Sequence, residues 1–113
     1  MFKVAIIGGE NRGDYRLFVE KCAYFLKNKI KEGIRVLTIG DEYVNIMCNK
    51  ANIDVTVYNT NWGAYGKDAL KRRNEKIIND CDAVIAFEDG TNDTKAFIHF
   101  AKQSDKPVRV VPL

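Results

Sequence analysis

The fold expected for this chain is decided by Phe2-Lys3-Val4-Ala5-Ile6-Ile7-Gly8-Gly9, an apolar run that stops abruptly at glycine. A helical pattern follows this run. A second stretch of the same kind, Ala83-Val84-Ile85-Ala86-Phe87-Glu88-Asp89-Gly90, comes later in the chain. Runs that are apolar at nearly every position are typical of strands buried on both faces of a parallel sheet. Ligands bind in the crevice at the carboxyl ends of such strands, so the two stretches predict a small-molecule site.

Around these two runs, strand and helix patterns alternate along the whole chain. The pattern predicts strands at Phe2–Ile7, Ile34–Ile39, Asp54–Tyr58, Asp82–Phe87 and Val108–Val111. It predicts helices at about 15–31 (capped by Asp14 and ended by Gly33), 42–50, 67–80 and 94–104, and a loop at Asn59–Gly66. The alternation is typical of an α/β, three-layer architecture: a parallel sheet of about five strands with helices on both faces. Right-handed crossovers favour the strand order 3-2-1-4-5, in one domain that spans residues 1–113.

The amino-acid composition limits the classes of function that the protein can have. The chain is 46% hydrophobic and 29% charged, with a net charge of +3, which permits an anionic ligand but makes nucleic acid an unlikely partner. Cys22, Cys48 and Cys81 are widely spaced, and no metal-binding spacing joins them to His99, so we expect reduced thiols, no metal and no cofactor. The start of the chain lacks a signal-peptide pattern, and no run approaches the ~20 apolar residues of a membrane span. We therefore expect a cytoplasmic protein without membrane contact, for which a homodimer is plausible although no interface can be identified.

Arg73 and Asn74 are anomalous in the helix predicted at 67–80. They stand three and four residues after Leu70, on the side that carries the apolar stripe of this helix (Leu70, Ile77, Ile78 and Cys81). A buried arginine is costly unless it has a partner. Arg73 is therefore either a scaffold residue, which turns outward or pairs with Glu10, Asp41 or Glu88, or an anchor for an anion such as phosphate. Lys71, Arg72 and Lys76 fit a solvated face.

Two turns at predicted strand ends carry the remaining candidates. The Gly8-Gly9 turn is either a plain connection or a place where backbone amides and a helix N-terminus face phosphate. The segment Glu88–Thr94 either forms a turn with Asp93 as helix cap, or offers carboxylates to ribose hydroxyls or to acid–base chemistry. Trp62 and Tyr65 either stack on a base or cover the sheet edge. We expect His99 to be solvated and without a role.

Several short pieces together resemble one family. They are Val4–Gly8, Asp14-Tyr15, Trp62–Lys67, Arg73–Glu75, Ala83–Phe87 with Asp89-Gly90, and Lys106–Val111. In combination they resemble the YspA-like, YpsA-related branch of the SLOG superfamily, which comprises small Rossmann-like proteins often encoded by bacteria and phages. The resemblance implies a Rossmann-like fold and a pocket for a nucleotide or a nucleotide-derived signal, with Gly8, Arg73, Asn74, Asp89 and Gly90 carried over as pocket residues.

The chain departs from the family pattern at two turns. The family has a glycine-rich turn after the second strand, where this chain has Gly40-Asp41-Glu42, and Asp93 replaces a glycine in the last phosphate-facing turn. Acids at these places repel phosphate. The departures are compatible with a ligand rich in hydroxyls, with a metal-bridged phosphate, or with a degenerate site.

The sequence thus predicts a binder of a nucleotide or nucleotide-derived small molecule, either a sensor or a sequestering protein. The alternative is an enzyme resembling N-glycosidases or deoxyribosyltransferases, which cleaves the bond between base and ribose. A third class, a protein- or DNA-interaction module, rests only on Lys67, Lys71, Arg72 and Lys76. The ligand-binding candidates are Gly8, Gly9, Glu10, Asn11, Gly40, Asp41, Arg73, Asn74, Glu88, Asp89, Gly90 and Thr91. The catalytic candidates, which apply only to an enzyme, are Glu88, Asp89 and Glu10.

Overall fold

A five-stranded, fully parallel sheet forms the centre of the protein, in a computed structural model that describes residues 1–8 and 14–112. The strands are β1 (Phe2–Gly8), β2 (Ile34–Thr38), β3 (Asp54–Val57), β4 (Ala83–Glu88) and β5 (Val108–Pro112). Their order in the sheet is β3-β2-β1-β4-β5, so β1 and β4 lie side by side where the winding reverses. The predicted fold class and strand order are confirmed, and each strand limit agrees with its prediction to within one residue.

Helices connect consecutive strands. They are α1 (Tyr15–Leu26), α2 (Glu42–Ala51), the short α3 (Trp62–Tyr65), α4 (Ala69–Asp80) and α5 (Asn92–Lys102), with single 3-10 turns at Ile30–Glu32 and Gly66–Asp68. None of the helices within residues 1–8 and 14–112 has the length and hydropathy that crossing a bilayer requires.

The helices cover both faces of the sheet because the strand residues alternate between two cores. Val4 and Ile6 of β1 belong to a core formed with α1 and α2, whose buried side chains include Phe18 and Val44. Ala5 and Ile7 belong to the opposite core, formed with α4 and α5. The sheet therefore holds α4 and α5 next to each other on one face, with their first turns at the carboxyl ends of the strands.

Two local predictions are wrong. The first helix ends at Leu26 rather than near Lys31, because Ile30 lies beyond the core and is 67% exposed, and the chain turns there before β2 begins. The segment Asn59–Gly66 is not entirely a loop, since α3 forms within it. The side chain of Asn61 caps α3 by accepting a hydrogen bond from the Ala64 amide at 3.0 Å.

The three cysteines are buried and unpaired, as predicted for core thiols. Burial raises the pKa of Cys22 to about 12, with a smaller contribution from neighbouring Cys48, and raises the pKa of Cys48 to about 11. These thiols remain protonated at neutral pH and are poor nucleophiles.

Candidate functional site

The ends of β1 and β4 meet without space for a side chain. Gly8 pairs with Phe87 and has a φ of +89°. A Cβ atom at Gly8 would overlap the Phe87 carbonyl oxygen and stand 3.1 Å from the carbonyl carbon. Glycine is therefore required here by the close approach of the β4 backbone as well as by its own conformation. The predicted site residues Gly9, Glu10 and Asn11 lie outside the described residues.

Asp41 connects the end of β2 to the end of β1. Its side chain is only 4% exposed, and Oδ2 accepts a hydrogen bond from the Gly8 amide at 3.0 Å. The turn before it is supported by Thr38, whose buried hydroxyl accepts from the amide of Gly40 at 3.3 Å. Gly40 and Asp41 thus lie beside Gly8, as their sequence positions predict. The Gly8 amide, however, already donates to a side chain of the protein, so it does not point freely toward a ligand phosphate.

The turn between β4 and α5 is organised by a hydroxyl network. The Thr91 hydroxyl donates to Asp89 Oδ1 at 2.7 Å, and the Thr91 amide donates to the same oxygen at 3.0 Å. Thr91 also caps α5, because its hydroxyl oxygen accepts from the Thr94 amide at 3.3 Å. The prediction that Asp93 caps this helix is wrong. Asp93 lies in the first turn of α5, because α5 begins two residues earlier than expected.

Asp89 is a poor general acid in this environment. Burial raises the pKa of Asp89, but hydrogen bonds from Thr91 and Thr94 outweigh that effect and hold its pKa below the ordinary value. Its neighbour Glu88 accepts a hydrogen bond from the Gly90 amide at 3.2 Å through Oε1. Both predicted carboxylates therefore stabilise the turn, and Asp89 in its ionised form is suited to accept hydrogen bonds from hydroxyl groups.

Arg73 and Asn74 lie on the inward side of α4, as predicted. Asn74 is buried and Arg73 is half-buried, whereas the neighbouring Arg72 is exposed. Asn74 Oδ1 accepts from Arg73 Nε at 3.4 Å and from Nη2 at 3.1 Å, while Arg73 Nη1 donates to the Thr60 hydroxyl at 3.2 Å. The guanidinium is thus held in one orientation by two uncharged acceptors.

The charge of Arg73 is not neutralised by direct contact with an acid in the part of the chain that the structure describes, where no carboxylate oxygen forms an ion pair with it. Burial lowers the pKa of Arg73, and the more distant charges of Asp93 and Asp41 partly offset this effect. A desolvated cation of this kind favours an anionic ligand.

Two cavities flank Arg73. The larger, of about 480 Å³, lies between α4 and the segment after β3, and its wall is polar: Asn59, Asn61, Tyr65, Arg72, Lys76 and Asp80 contribute to it. The smaller, of about 330 Å³, lies between α4 and α5 and has a largely apolar wall. Arg73 contributes to both walls, and Asn74 contributes to the smaller cavity only.

Residues outside the predicted set also contribute to this region. Thr60 holds the guanidinium of Arg73; the available signal was its position directly after a predicted strand. Trp62 and Tyr65 are 56% and 48% exposed, and the Arg72 guanidinium lies 5.4 Å from the centre of the Tyr65 ring. His99 is exposed, as expected, but it also contributes to the wall of the smaller cavity. No cluster of three or more potential metal ligands occurs among residues 1–8 and 14–112.

Comparison with known proteins supports the fold. No family model matches this chain, and no curated protein matches it. The X-ray structure of TM1055, a target of the Northeast Structural Genomics Consortium, superposes on it with a TM-score of 0.66 and 19% sequence identity. The match covers 96% of this chain and 72% of TM1055. At this identity the likeness concerns the fold alone, and it places this chain among the Rossmann-like α/β proteins.

Proposed function

We propose that this protein binds a nucleotide or a nucleotide-derived small molecule at the carboxyl ends of its strands, and that Arg73 anchors the anionic group of the ligand. One observation carries the proposal. Arg73 is half-buried at this edge of the sheet, fixed by Thr60 and Asn74, and in direct contact with no acid in residues 1–8 and 14–112.

The side chain that orients Arg73 supports an anion-binding role. Asn74 accepts from two nitrogen atoms of the guanidinium, as a carboxylate does in a scaffold ion pair, but it carries no charge. A guanidinium has five N–H groups, and the three hydrogen bonds to Asn74 and Thr60 use three of them. The two remaining N–H groups, on a guanidinium that forms no ion pair within residues 1–8 and 14–112, are suited to a phosphate or carboxylate group.

The neighbouring acids restrict the ligand. Asp41 accepts the amide of Gly8 and Asp89 accepts the hydroxyl of Thr91, so a carboxylate lies on each side of the β1–β4 junction. Carboxylates repel additional phosphates and accept hydrogen bonds from hydroxyl groups. Because Arg73 is the cation proposed to bind the anionic group and the nearby carboxylates are hydrogen-bond acceptors, we favour a ligand with one anionic group and several hydroxyls, such as a nucleoside monophosphate.

The resemblance to the YspA-like branch of the SLOG superfamily adds to this proposal through Arg73, Asn74, Asp89 and Gly90. Under it the protein is a sensor or sequestering protein for a nucleotide signal. The alternative, cleavage of the base–ribose bond, draws less support from the site. It needs a group that protonates the leaving base, and the lowered pKa of Asp89 does not suit that role.

The test begins with native mass spectrometry of protein purified from cells, followed by denaturation and identification of any released small molecule. Isothermal titration with nucleoside mono- and triphosphates then measures affinity directly. We expect Arg73→Ala to lose binding. Arg109→Ala removes an exposed arginine on the edge strand β5 and is the matched control. Equal affinity for the wild type and Arg73→Ala would contradict the proposal, as would the absence of any nucleotide binding by the wild type.

A further inference from the structure

The smaller cavity beside Arg73 has the chemistry of a binding site for an aromatic ring. Its apolar wall comes from Leu70 on α4 and from Ala96 and Phe100 on α5. We propose that this cavity holds the base of the ligand, or another flat aromatic ring, while Arg73 holds the anionic group at one end. The inference rests on the proposed function, because it assigns the uncharged part of the same ligand.

The cavity lies outside the layer of α4 and α5 side chains that pack against the sheet. Ile77 on α4 and Phe97 on α5 are buried against the strands, in the core that these two helices share. Outside this layer the half-buried Leu70 and the exposed Ala96, a small side chain, both contribute to the wall of the space between the two helices. Its volume of about 330 Å³ lies at the lower end of the range for small-molecule sites, roughly 300–1,000 Å³.

The two cavities beside Arg73 differ in a way that assigns the parts of the ligand. The larger has charged groups on its wall, among them Arg72, Lys76 and Asp80, and it offers little apolar surface to a ring. The smaller is also bordered by polar residues (Lys71, Arg73, Asn74, Asp93 and His99), but the surface it exposes to a ligand is mostly apolar. An apolar wall with a few polar groups is typical of sites that bind an aromatic ring and fix its orientation. The ring therefore enters between α4 and α5.

The same residues indicate which kind of molecule binds in the cavity. The cation at the mouth selects a molecule with an anionic group, and the apolar wall selects a ring over a second sugar or phosphate. Asp93 is exposed at the start of α5, and its carboxylate is suited to accept N–H groups on the edge of a base. A nucleoside monophosphate combines these features in one molecule.

The test separates the ring from the anionic group. Isothermal titration measures binding of AMP, GMP, CMP and UMP, and separately of ribose 5-phosphate, which has the anionic group without a base. Ala96→Trp fills the cavity and leaves Arg73 and Asn74 unchanged. Lys95→Trp, at the exposed neighbouring position outside the cavity, is the matched control. We expect Ala96→Trp to weaken binding of the preferred nucleotide at least tenfold and to change binding of ribose 5-phosphate less than twofold, with Lys95→Trp altering neither.

Nucleotide affinity that is equal in the wild type and Ala96→Trp would overturn the ring assignment while leaving the proposed function intact. Equal losses for nucleotide and ribose 5-phosphate would also overturn it, because the effect would then not concern the ring. If none of the five compounds binds to the wild type, the proposed function fails and this inference fails with it. Should Ala96→Trp not fold, as judged by circular dichroism, the smaller substitution Ala96→Leu replaces it, with the same outcomes expected at reduced size.

Discussion

Substitution of Gly8 by alanine tests how closely β1 and β4 approach each other at the edge where the ligand is proposed to bind. Two costs add. Alanine at a φ of +89° is strained, which costs roughly 1–2 kcal/mol. The new Cβ also overlaps the Phe87 carbonyl, and the strand ends must separate to relieve the overlap. Separation of the strand ends breaks hydrogen bonds between β1 and β4, each of which contributes about 1 kcal/mol to stability. We expect Gly8→Ala to lower the free energy of unfolding by about 3–5 kcal/mol, a large part of the ~5–15 kcal/mol typical of a domain.

Gly90→Ala is the matched control for this experiment. Gly90 has a similar φ of +83°, but no atom of the described residues lies within 4 Å of the position where its Cβ would stand. The loss of chain entropy in the unfolded state is the same for both substitutions. Urea unfolding followed by far-UV circular dichroism should therefore give a loss of about 1–2 kcal/mol for Gly90→Ala, smaller than for Gly8→Ala. If both substitutions cost the same, the close approach of β4 to Gly8 is not present in solution, and the reasoning about this edge is refuted.

Three further predictions concern the charges and thiols. Asn74→Asp places a carboxylate against Arg73. Isothermal titration should then show at least a tenfold loss of affinity for an anionic nucleotide. Unchanged affinity would mean that the charge of Arg73 does not contribute to ligand binding. Thr91→Ala removes the α5 cap and a hydrogen bond to Asp89, and should cost about 1 kcal/mol. The lowered pKa of Asp89 contributes stability above its unfolded pKa, which is lost as pH falls through its folded pKa. The difference in the free energy of unfolding between wild type and Thr91→Ala, measured with urea, should therefore become smaller as the pH falls from neutral to about 3. A difference that does not change with pH would contradict the stabilisation of the turn by ionised Asp89. Because burial raises the pKa of Cys22 from 9.0 to about 12, its thiolate fraction near pH 8 is about 1,000-fold below that of an ordinary thiol, and Ellman's reagent should label Cys22 only after unfolding.

Much of the fold was predictable because it depends on local patterns that tertiary contacts reinforce. The uniformly apolar runs at Phe2–Ile7 and Asp82–Phe87 indicate strands that are buried on both faces, and the structure contains β1 and β4 at these places. Right-handed crossovers then leave few possible strand orders. The prediction of secondary structure failed in segments that no hydrophobic core holds in the predicted conformation. The first helix ends at Leu26, before the exposed Ile30, and α3 forms where the Asn61 side chain caps it.

The sequence by itself determined the α/β class, the strand order, and the place of Arg73 and Asn74 on the inward side of α4, because hydrophobic periodicity encodes which side of an element is buried. Only the tertiary structure decided what these residues contact. The interaction of Asp41 with the Gly8 amide joins residues 33 positions apart. The partnership of Arg73 with Thr60 and the cavity between α4 and α5 likewise depend on how separate elements pack against one sheet. Contacts of this kind follow from distances between elements in space, which periodicity along the chain does not specify.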